Sequence, residues 1–381
     1  MSDQPEFDPT DARPEASRTD PEELRTRLQA WLRDLPDVAD DAVVQDLVVP
    51  DGNGMSSETL LFDLAHGDQV DHLVARVAPR PESVPVFPDY DMGMQFRVMQ
   101  EVAGAVPVPA VRWLEEDPGP VGAAFFVMDR VEGRVPPDVM PYNFGIESWL
   151  YDASAEEQRH LQERSVEVLA ALHALPVDRF DFLDDAQDRS VGDGDPADRS
   201  ALRRHVDATR GFYEWVVADQ RPSPLIERAF GWLEDHWPED EGETVLSWGD
   251  SRIGNMMFDG FDPVAVLDWE MASLGPREVD LSWMVFLHRF FEEVAWKMEL
   301  PGMRHFMHAP DVVARYEQVS GHTVRNFEWH TTYAALRHAA IMYRVAVRTI
   351  TFGQGEWPDD VDDLIMHRAA LEQLLDGTYE P

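Results

Sequence analysis

Trp248-Gly249-Asp250-Ser251-Arg252-Ile253-Gly254-Asn255 is followed by a short apolar run and then by Ala265-Val266-Leu267-Asp268-Trp269-Glu270. Asp250 stands five residues before Asn255 and eighteen before Asp268. The segments between and after them are apolar and of the β type, so the three polar residues are set on a strand–loop–strand frame. A carboxylate can take the proton of an attacking hydroxyl. An amide oxygen and a second carboxylate supply the hard oxygen ligands that magnesium requires. A polar hairpin, with Asp250 forming the turn and Asp268 as a cap, uses the same residue types. Asp-x4-Asn by itself arises by chance. It is the set of three in this apolar setting that points to chemistry.

Asp-x4-Asn followed by a further acid is the spacing with which phosphoryl-transfer catalytic loops bring a base and two metal ligands together. On that reading Asp250 is the catalytic residue, and Asn255 and Asp268 are the metal ligands. Arg252 neutralises phosphate charge locally. Glu270 is a further ligand or a salt-bridge acid. Asp280, opening a helix in Val279-Asp280-Leu281-Ser282-Trp283, caps that helix and props the loop.

Upstream, strands are expected at 42–49, 58–65, 72–78, 111–115 and 123–131, with a helix near 91–104. That order predicts a small, mainly antiparallel sheet with one main helix laid on it. After Gly133 helical periods dominate, at 155–175, 197–218, 223–237, 277–296, 311–320, 326–351 and 358–375. The chain is therefore expected to be α+β in two lobes. An N-lobe over 20–132 binds nucleotide. A helical C-lobe over 133–381 carries catalysis and the acceptor. Residues 1–19, acidic and Pro-rich, are expected to be a disordered tail.

Within the N-lobe, Asp51-Gly52-Asn53-Gly54-Met55-Ser56-Ser57 lies between two strands. Gly52 and Gly54 allow backbone N–H groups to approach phosphate, and Ser56 or Ser57 adds a hydroxyl. An ordinary hairpin turn has the same composition. Arg76, in Leu73-Val74-Ala75-Arg76-Val77-Ala78, is the candidate cation for the phosphates, and its helix partner position is Gln95 where an acid is expected. A guanidinium stays charged and presents a fork suited to phosphate. Met128-Asp129-Arg130-Val131 ends the last strand and offers the Asp129 carbonyl and the Val131 N–H to an adenine edge.

Composition narrows the alternatives. With 73 acids against 32 bases the chain carries −41 and no cysteine, and its one lysine is Lys297. Nucleic acid and anionic membrane are poor partners for such a charge. Thiolate metal sites, disulfides and cysteine nucleophiles are excluded. So is a Walker A loop, because Lys297 lies in Trp-Lys-Met-Glu. The histidines form no His-Glu-x-x-His pair. The opening residues have neither a signal nor a transit pattern, and no apolar run is long enough for a membrane span. A soluble cytoplasmic protein is expected. An acid-rich, lysine-poor surface suits a halophilic source, although an arginine-biased GC-rich genome yields the same bias.

Trp-Gly-Asp-Ser-Arg-Ile-Gly-Asn, Val-Leu-Asp-Trp-Glu-Met-Ala-Ser-Leu-Gly, Val-Asp-Leu-Ser-Trp and Phe-Val-Met-Asp-Arg-Val-Glu-Gly together resemble the aminoglycoside phosphotransferase/choline kinase-like superfamily. Over roughly residues 40–375 the chain is most similar to the branch that includes the kinase-like domain attached to some acyl-CoA dehydrogenases. The resemblance implies a protein-kinase-like bilobal fold and transfer from ATP, with Mg2+, to a small-molecule hydroxyl acceptor. Three positions depart from the pattern: Trp248 stands where the family has His, Arg76 where it has Lys, and Gln95 where it has an acid. Gln95 and Trp248 favour the alternative, a pseudokinase-like protein that binds nucleotide or a metabolite and regulates, whereas the intact Asp250, Asn255 and Asp268 favour an enzyme. Kinase activity on proteins lacks room for an activation segment between Asp268 and Asp280. Oligomeric state is not legible.

Overall fold

Period-two alternation of apolar residues builds the first of the two units into which the chain divides. The structure is a computed structural model and describes residues 21–50, 57–80, 83–137, 148–184 and 199–379. The expected tail and residues 51–56 of the glycine turn, Gly52, Gly54 and Ser56 among them, lie outside the described residues.

The first unit comprises the described residues of Met1–Gly93 with Val111–Arg130 and Tyr343–Asp359. Strands β1 (Val43–Val48), β2 (Glu58–His66), β3 (Gln69–Val77), β4 (Val111–Glu115) and β5 (Phe125–Asp129) form a sheet in the order β1-β2-β3-β5-β4. Every neighbouring pair is antiparallel. Leu60, Phe62 and Leu64 of β2, Leu73, Ala75 and Val77 of β3, and Phe125 and Val127 of β5 share one core. Helix α1 (Pro21–Arg33) adds Leu24, Leu28, Trp31 and Leu32, a single stripe at helical spacing. Trp31 packs edge-on against Phe125, with centroids 4.6 Å apart, and its indole N–H donates to Glu115 Oε2 at 2.7 Å. The large side chain is thus buried without orphaning its polar atom. In the Tyr343–Asp359 stretch, Arg344 donates from Nε and Nη2 to the Pro85 carbonyl, and Arg348 Nη2 donates to that of Ser83.

The second unit holds Met94–Ala110, Val131–Met342 and Asp360–Pro381. Its helices are α2 (Met92–Val102, from Met94), α3 (Ala155–His173), α4 (Ala201–Val217), α5 (Pro224–Asp235), α6 (Glu278–Lys297), α7 (Ala309–Ser320), α8 (Phe327–Thr351, as far as Met342) and α9 (Arg368–Asp376). Two short antiparallel ladders interrupt them: β6 (Thr244–Ser247) with β9 (Ser273–Pro276), and β7 (Met256–Asp259) with β8 (Asp262–Val266). A capping box fixes the start of α3, with Ser154 and Glu157 satisfying each other's backbone N–H. Helix α6 is buried on all sides from Glu278 to His288, which marks it as the central helix of this unit.

The sequence pattern predicts one helix over 358–375, and here the structure differs. Asp360 accepts from the Asp362 N–H and caps a short 3₁₀ turn, Val361–Leu364. Ile365 is extended, and α9 starts only at Arg368. Asp362 Oδ1 accepts from the Ser223 hydroxyl at 2.5 Å. Short acidic side chains that bond nearby or distant partners compete with the helix ladder. Among the described residues, no helix is long and apolar enough to cross a membrane.

Candidate active site

Ser247 ends β6 and Met256 begins β7, so the octapeptide between them is held at both ends by ladders. At Gly249 φ is +93°, and a Cβ there would stand 2.1 Å from the Met271 carbonyl oxygen. Only glycine fits that close approach. The Arg252 N–H then donates to the Asp250 carbonyl, and the Asn255 N–H to that of Arg252. These tight turns bring three side chains together. Asn255 Nδ2 donates to the Asp250 backbone oxygen at 3.0 Å and to Asp250 Oδ2 at 2.7 Å. Arg252 Nε donates to the same Oδ2 at 3.0 Å. Arg252, expected to face phosphate, thus directs its Nε to Asp250.

Asp250 is also held from α6, where the Trp283 indole N–H donates to Oδ1 at 2.8 Å. The two carboxylate oxygens are therefore unequal. Oδ2 receives two donors, whereas Oδ1 receives one and keeps a lone pair, because each carboxylate oxygen accepts about two hydrogen bonds. The side chain is 17% exposed. Burial pushes the carboxyl up, but the Arg252 charge and the hydrogen bonds from Trp283, Arg252 and Asn255 outweigh it. The group is held below the ordinary carboxylate range.

Asp280 braces the loop from beneath. Fully buried at the start of α6, it accepts from the Ser247 hydroxyl at 2.8 Å and from the backbone N–H groups of Trp248 at 2.7 Å and Gly249 at 3.0 Å. Its Oδ2 also pairs with His173 Nε2 at 3.1 Å, and His173 Nδ1 meets the Tyr316 hydroxyl at 2.7 Å. The Ser251 hydroxyl donates to the Asp280 carbonyl. Burial raises the Asp280 carboxyl, but His173 and the two backbone N–H groups overcome it, and the net direction is downward.

Asp268 reaches the site along the backbone. The Leu267 N–H donates to the Asn255 carbonyl at 2.9 Å, so the residue before Asp268 is tied to the residue that ends the loop. Asp268 itself takes φ +60°, a left-handed conformation that Asp tolerates better than most residues and that is concentrated at functional sites. Trp248 is fully buried, donates from Nε1 to the Leu267 carbonyl at 3.0 Å, and packs against Trp269 with centroids 5.9 Å apart. One indole thus fastens the Asp250 loop to the Asp268 turn.

The donor set fits magnesium. With Nδ2 engaged by Asp250, the Asn255 amide has Oδ1 to offer as an oxygen ligand, and Asp268 offers a carboxylate. Among the described residues no group of three or more His, Asp or Glu side chains is arranged to hold a metal. Magnesium suits such a sparse set, since it binds through one or two protein oxygens plus phosphates and water.

The remaining sequence candidates divide between the units. Arg76 alternates out of phase with Ala75 and Val77, faces away from the α1 core, and donates from Nη1 to Thr59 Oγ1 at 3.0 Å. Ser57 precedes β2, is 4% exposed, and its hydroxyl has no hydrogen-bond partner among the described residues. Met128 pairs with Val74, and Asp129 Oδ1 accepts from Arg112 Nε at 2.5 Å. Val131 opens the second stretch of the second unit. Gln95 is 3% exposed and its Nε2 has no partner among the described residues. Sequence reasoning missed Trp283, although its position three residues after Asp280 on one helix face was a usable signal. For His173 and Tyr316, more than a hundred residues apart from each other in sequence, no local spacing signals the contact.

Residues 48–336 match the model of the phosphotransferase enzyme family. Among curated proteins, IBR3 of Arabidopsis thaliana, named as a probable acyl-CoA dehydrogenase, is 24% identical over 307 residues, which are 76% of this chain and 35% of that protein. The chain thus spans about a third of that relative's length. Among solved structures, a Ralstonia eutropha protein assigned to the aminoglycoside phosphotransferases superposes with a TM-score of 0.61 at 21% identity, covering 93% of this chain and 97% of the other. An aminoglycoside phosphotransferase mutant in ternary complex with AMP-PNP and hygromycin B gives 0.53 at 17% identity, covering 92% and 98%. The fold is therefore kinase-like, as the motifs led one to expect.

Proposed function

The chain belongs to the phosphotransferase enzyme family, and we propose that it moves the terminal phosphoryl group of ATP to a hydroxyl of a small molecule. The observation that carries this reading is the asymmetric holding of Asp250. With Oδ2 saturated by Arg252 and Asn255, Oδ1 is the oxygen that accepts the acceptor's O–H. The hydroxyl oxygen attacks the terminal phosphorus, the bond from that phosphorus to the bridging oxygen breaks, ADP leaves, and the proton passes to Asp250 Oδ1.

A carboxylate held below its usual range is a weak base for an alcohol. It therefore orients the hydroxyl first and receives the proton late, once the O–H has become acidic on bonding to phosphorus. Asn255 Oδ1 and Asp268 would hold Mg2+, whose bound charge offsets that of the phosphates. In the first unit, Arg76 and Ser57, with the glycine turn, would steady phosphates, and Met128 and Asp129 would lie against the base. A relative's complex with AMP-PNP supports a nucleotide as donor.

The test is Asp250→Asn. Wild type with Mg·ATP and a panel of hydroxyl compounds should release ADP with at least one acceptor. The variant should lose about a thousandfold in kcat or more while keeping Mg·ATP affinity, since geometry and charge-assisted binding survive better than proton acceptance. Unchanged turnover in the variant would remove the base assignment. The buried Gln95, where an acid is expected, favours a second reading: a regulatory protein that binds nucleotide or a metabolite. Tight Mg·ATP binding with no transfer to any hydroxyl compound would select it.

A further inference from the structure

Arg337 lies on α8 in the unit that carries Asp250, and it is only 6% exposed. Its guanidinium sits over the Trp283 ring, with Cζ 4.7 Å from the centroid. That same indole donates its N–H to Asp250 Oδ1. One aromatic side chain therefore links the buried cation to the oxygen on which the acceptor hydroxyl would rest. Arg337 Nη1 has no hydrogen-bond partner among the described residues. The two acids whose charges reach it are committed elsewhere. Asp280 accepts from Ser247, Trp248, Gly249 and His173, and Asp250 from Arg252, Asn255 and Trp283, with one lone pair left on Oδ1.

A guanidinium does not escape burial by losing its proton, so its desolvation must be met by a partner. A buried, charged donor with no hydrogen-bond partner at Nη1 among the described residues, joined to the Asp250 carboxylate through one indole, marks a place where a ligand supplies the partner. We propose that Arg337 binds a carboxylate of the phosphate acceptor, so that the acceptor is a hydroxy acid. This rests on the phosphotransferase reading of Asp250. The hydroxyl takes Oδ1, and the carboxylate meets the guanidinium fork, whose plane is held by stacking on Trp283. In a chain of charge −41 the general field repels anions, so recognition of one needs a dedicated buried cation. Cationic acceptors would instead meet the charges of Arg252 and Arg337, both of which reach Asp250.

The experiment offers the full chain Mg·ATP with short hydroxycarboxylates and with the diols and amino alcohols of matching length. ADP release and thermal unfolding are read for wild type, Arg337→Met and Arg337→Lys. Hydroxycarboxylates should exceed diols by at least about tenfold in kcat/KM and should raise the melting temperature. Arg337→Met should lose both effects without lowering the melting temperature of the ligand-free protein, because Nη1 gives up no hydrogen bond among the described residues and a methionine side chain still packs on Trp283. Arg337→Lys, which keeps the charge but not the fork, should retain a reduced preference. Three results would overturn the proposal: a preference for diols or amino alcohols, a hydroxycarboxylate preference that survives in Arg337→Met, or a ligand-free Arg337→Met and Arg337→Lys that both melt well below wild type. Transfer to diols alone would leave phosphoryl transfer standing and remove the hydroxy acid. A hydroxycarboxylate-dependent rise in melting temperature, lost in Arg337→Met but with no ADP released, would support the anion site and remove the transfer.

Discussion

At Gly249 a single hydrogen atom in place of a side chain decides whether the Asp250 loop can close. The backbone is left-handed, and the Met271 carbonyl occupies the space that a Cβ would need. Gly249→Ala therefore meets both a strained φ and a clash with main chain, which no side-chain adjustment relieves. The expected cost is about 3 kcal/mol or more, with phosphoryl transfer lost even where the variant folds. Denaturant titration and ADP release measure the two parts, and a variant close to wild type in both would show that the loop is not fixed by this approach. Asp250, Asn255 and Asp268 were legible because their spacing is a chemical pattern within one short segment. Trp283 was signalled only by its place three residues after Asp280, and Arg337 not at all, because a stack on an indole joins residues that sequence separation hides.

Between elements, Trp248 couples the loop before β7 to the turn after β8. Its Nε1–H satisfies the Leu267 carbonyl, while the Leu267 N–H satisfies that of Asn255. Replacing the resemblance's histidine with tryptophan thus keeps a ring N–H donor and adds a large apolar surface against Trp269. Trp248→Phe preserves most of the apolar packing but orphans the Leu267 carbonyl, at an expected cost of about 1–3 kcal/mol. The Asp268 turn should loosen, so the Mg2+ concentration needed for half-maximal ADP release should rise more than the concentration of acceptor does. Equal changes in both would argue against a tie specific to the proposed metal ligand, Asp268.

The ladders themselves follow from alternation: Leu60, Phe62 and Leu64 enter the core while Arg76, out of phase with Ala75 and Val77, does not. The last helix starts later than periodicity predicts because Asp360 and Asp362 engage their side chains in a cap and with Ser223, a distant partner that periodicity does not reveal.

For the molecule as a whole, titration of buried histidines sets the acid limit. Burial draws His205, His288 and His330 down to about 3 and His367 to about 4, and His338, 3.2 Å from His367, is lowered as well. An unfolded histidine titrates near about 6.5. Because the folded values are depressed, this contribution to stability is complete above about 6.5 and is lost as pH falls toward the folded values. The denaturation midpoint should drop steadily between about pH 7 and about pH 5, before carboxylates protonate. His338→Phe should flatten part of that slope, and a wild-type profile flat across the range would show that these rings are not kept neutral by the fold. The charge of −41 acts differently. Raising KCl from about 0.1 M to about 1 M shortens the screening length from about 10 Å to about 3 Å, so the melting temperature should climb with salt, and a fall would mean that attractive ion pairs outweigh the repulsion.

The unit that holds the five-stranded sheet is assembled from three separate stretches of chain, the last of them Tyr343–Asp359. A gene cut after codon 132 would discard Arg344 and Arg348 and strand the carbonyls of Pro85 and Ser83 that those side chains cap. Any attempt to produce this half in isolation therefore calls for splicing the late helical segment back on, by fusion or by circular permutation, since translation of the leading codons alone delivers an unfinished body.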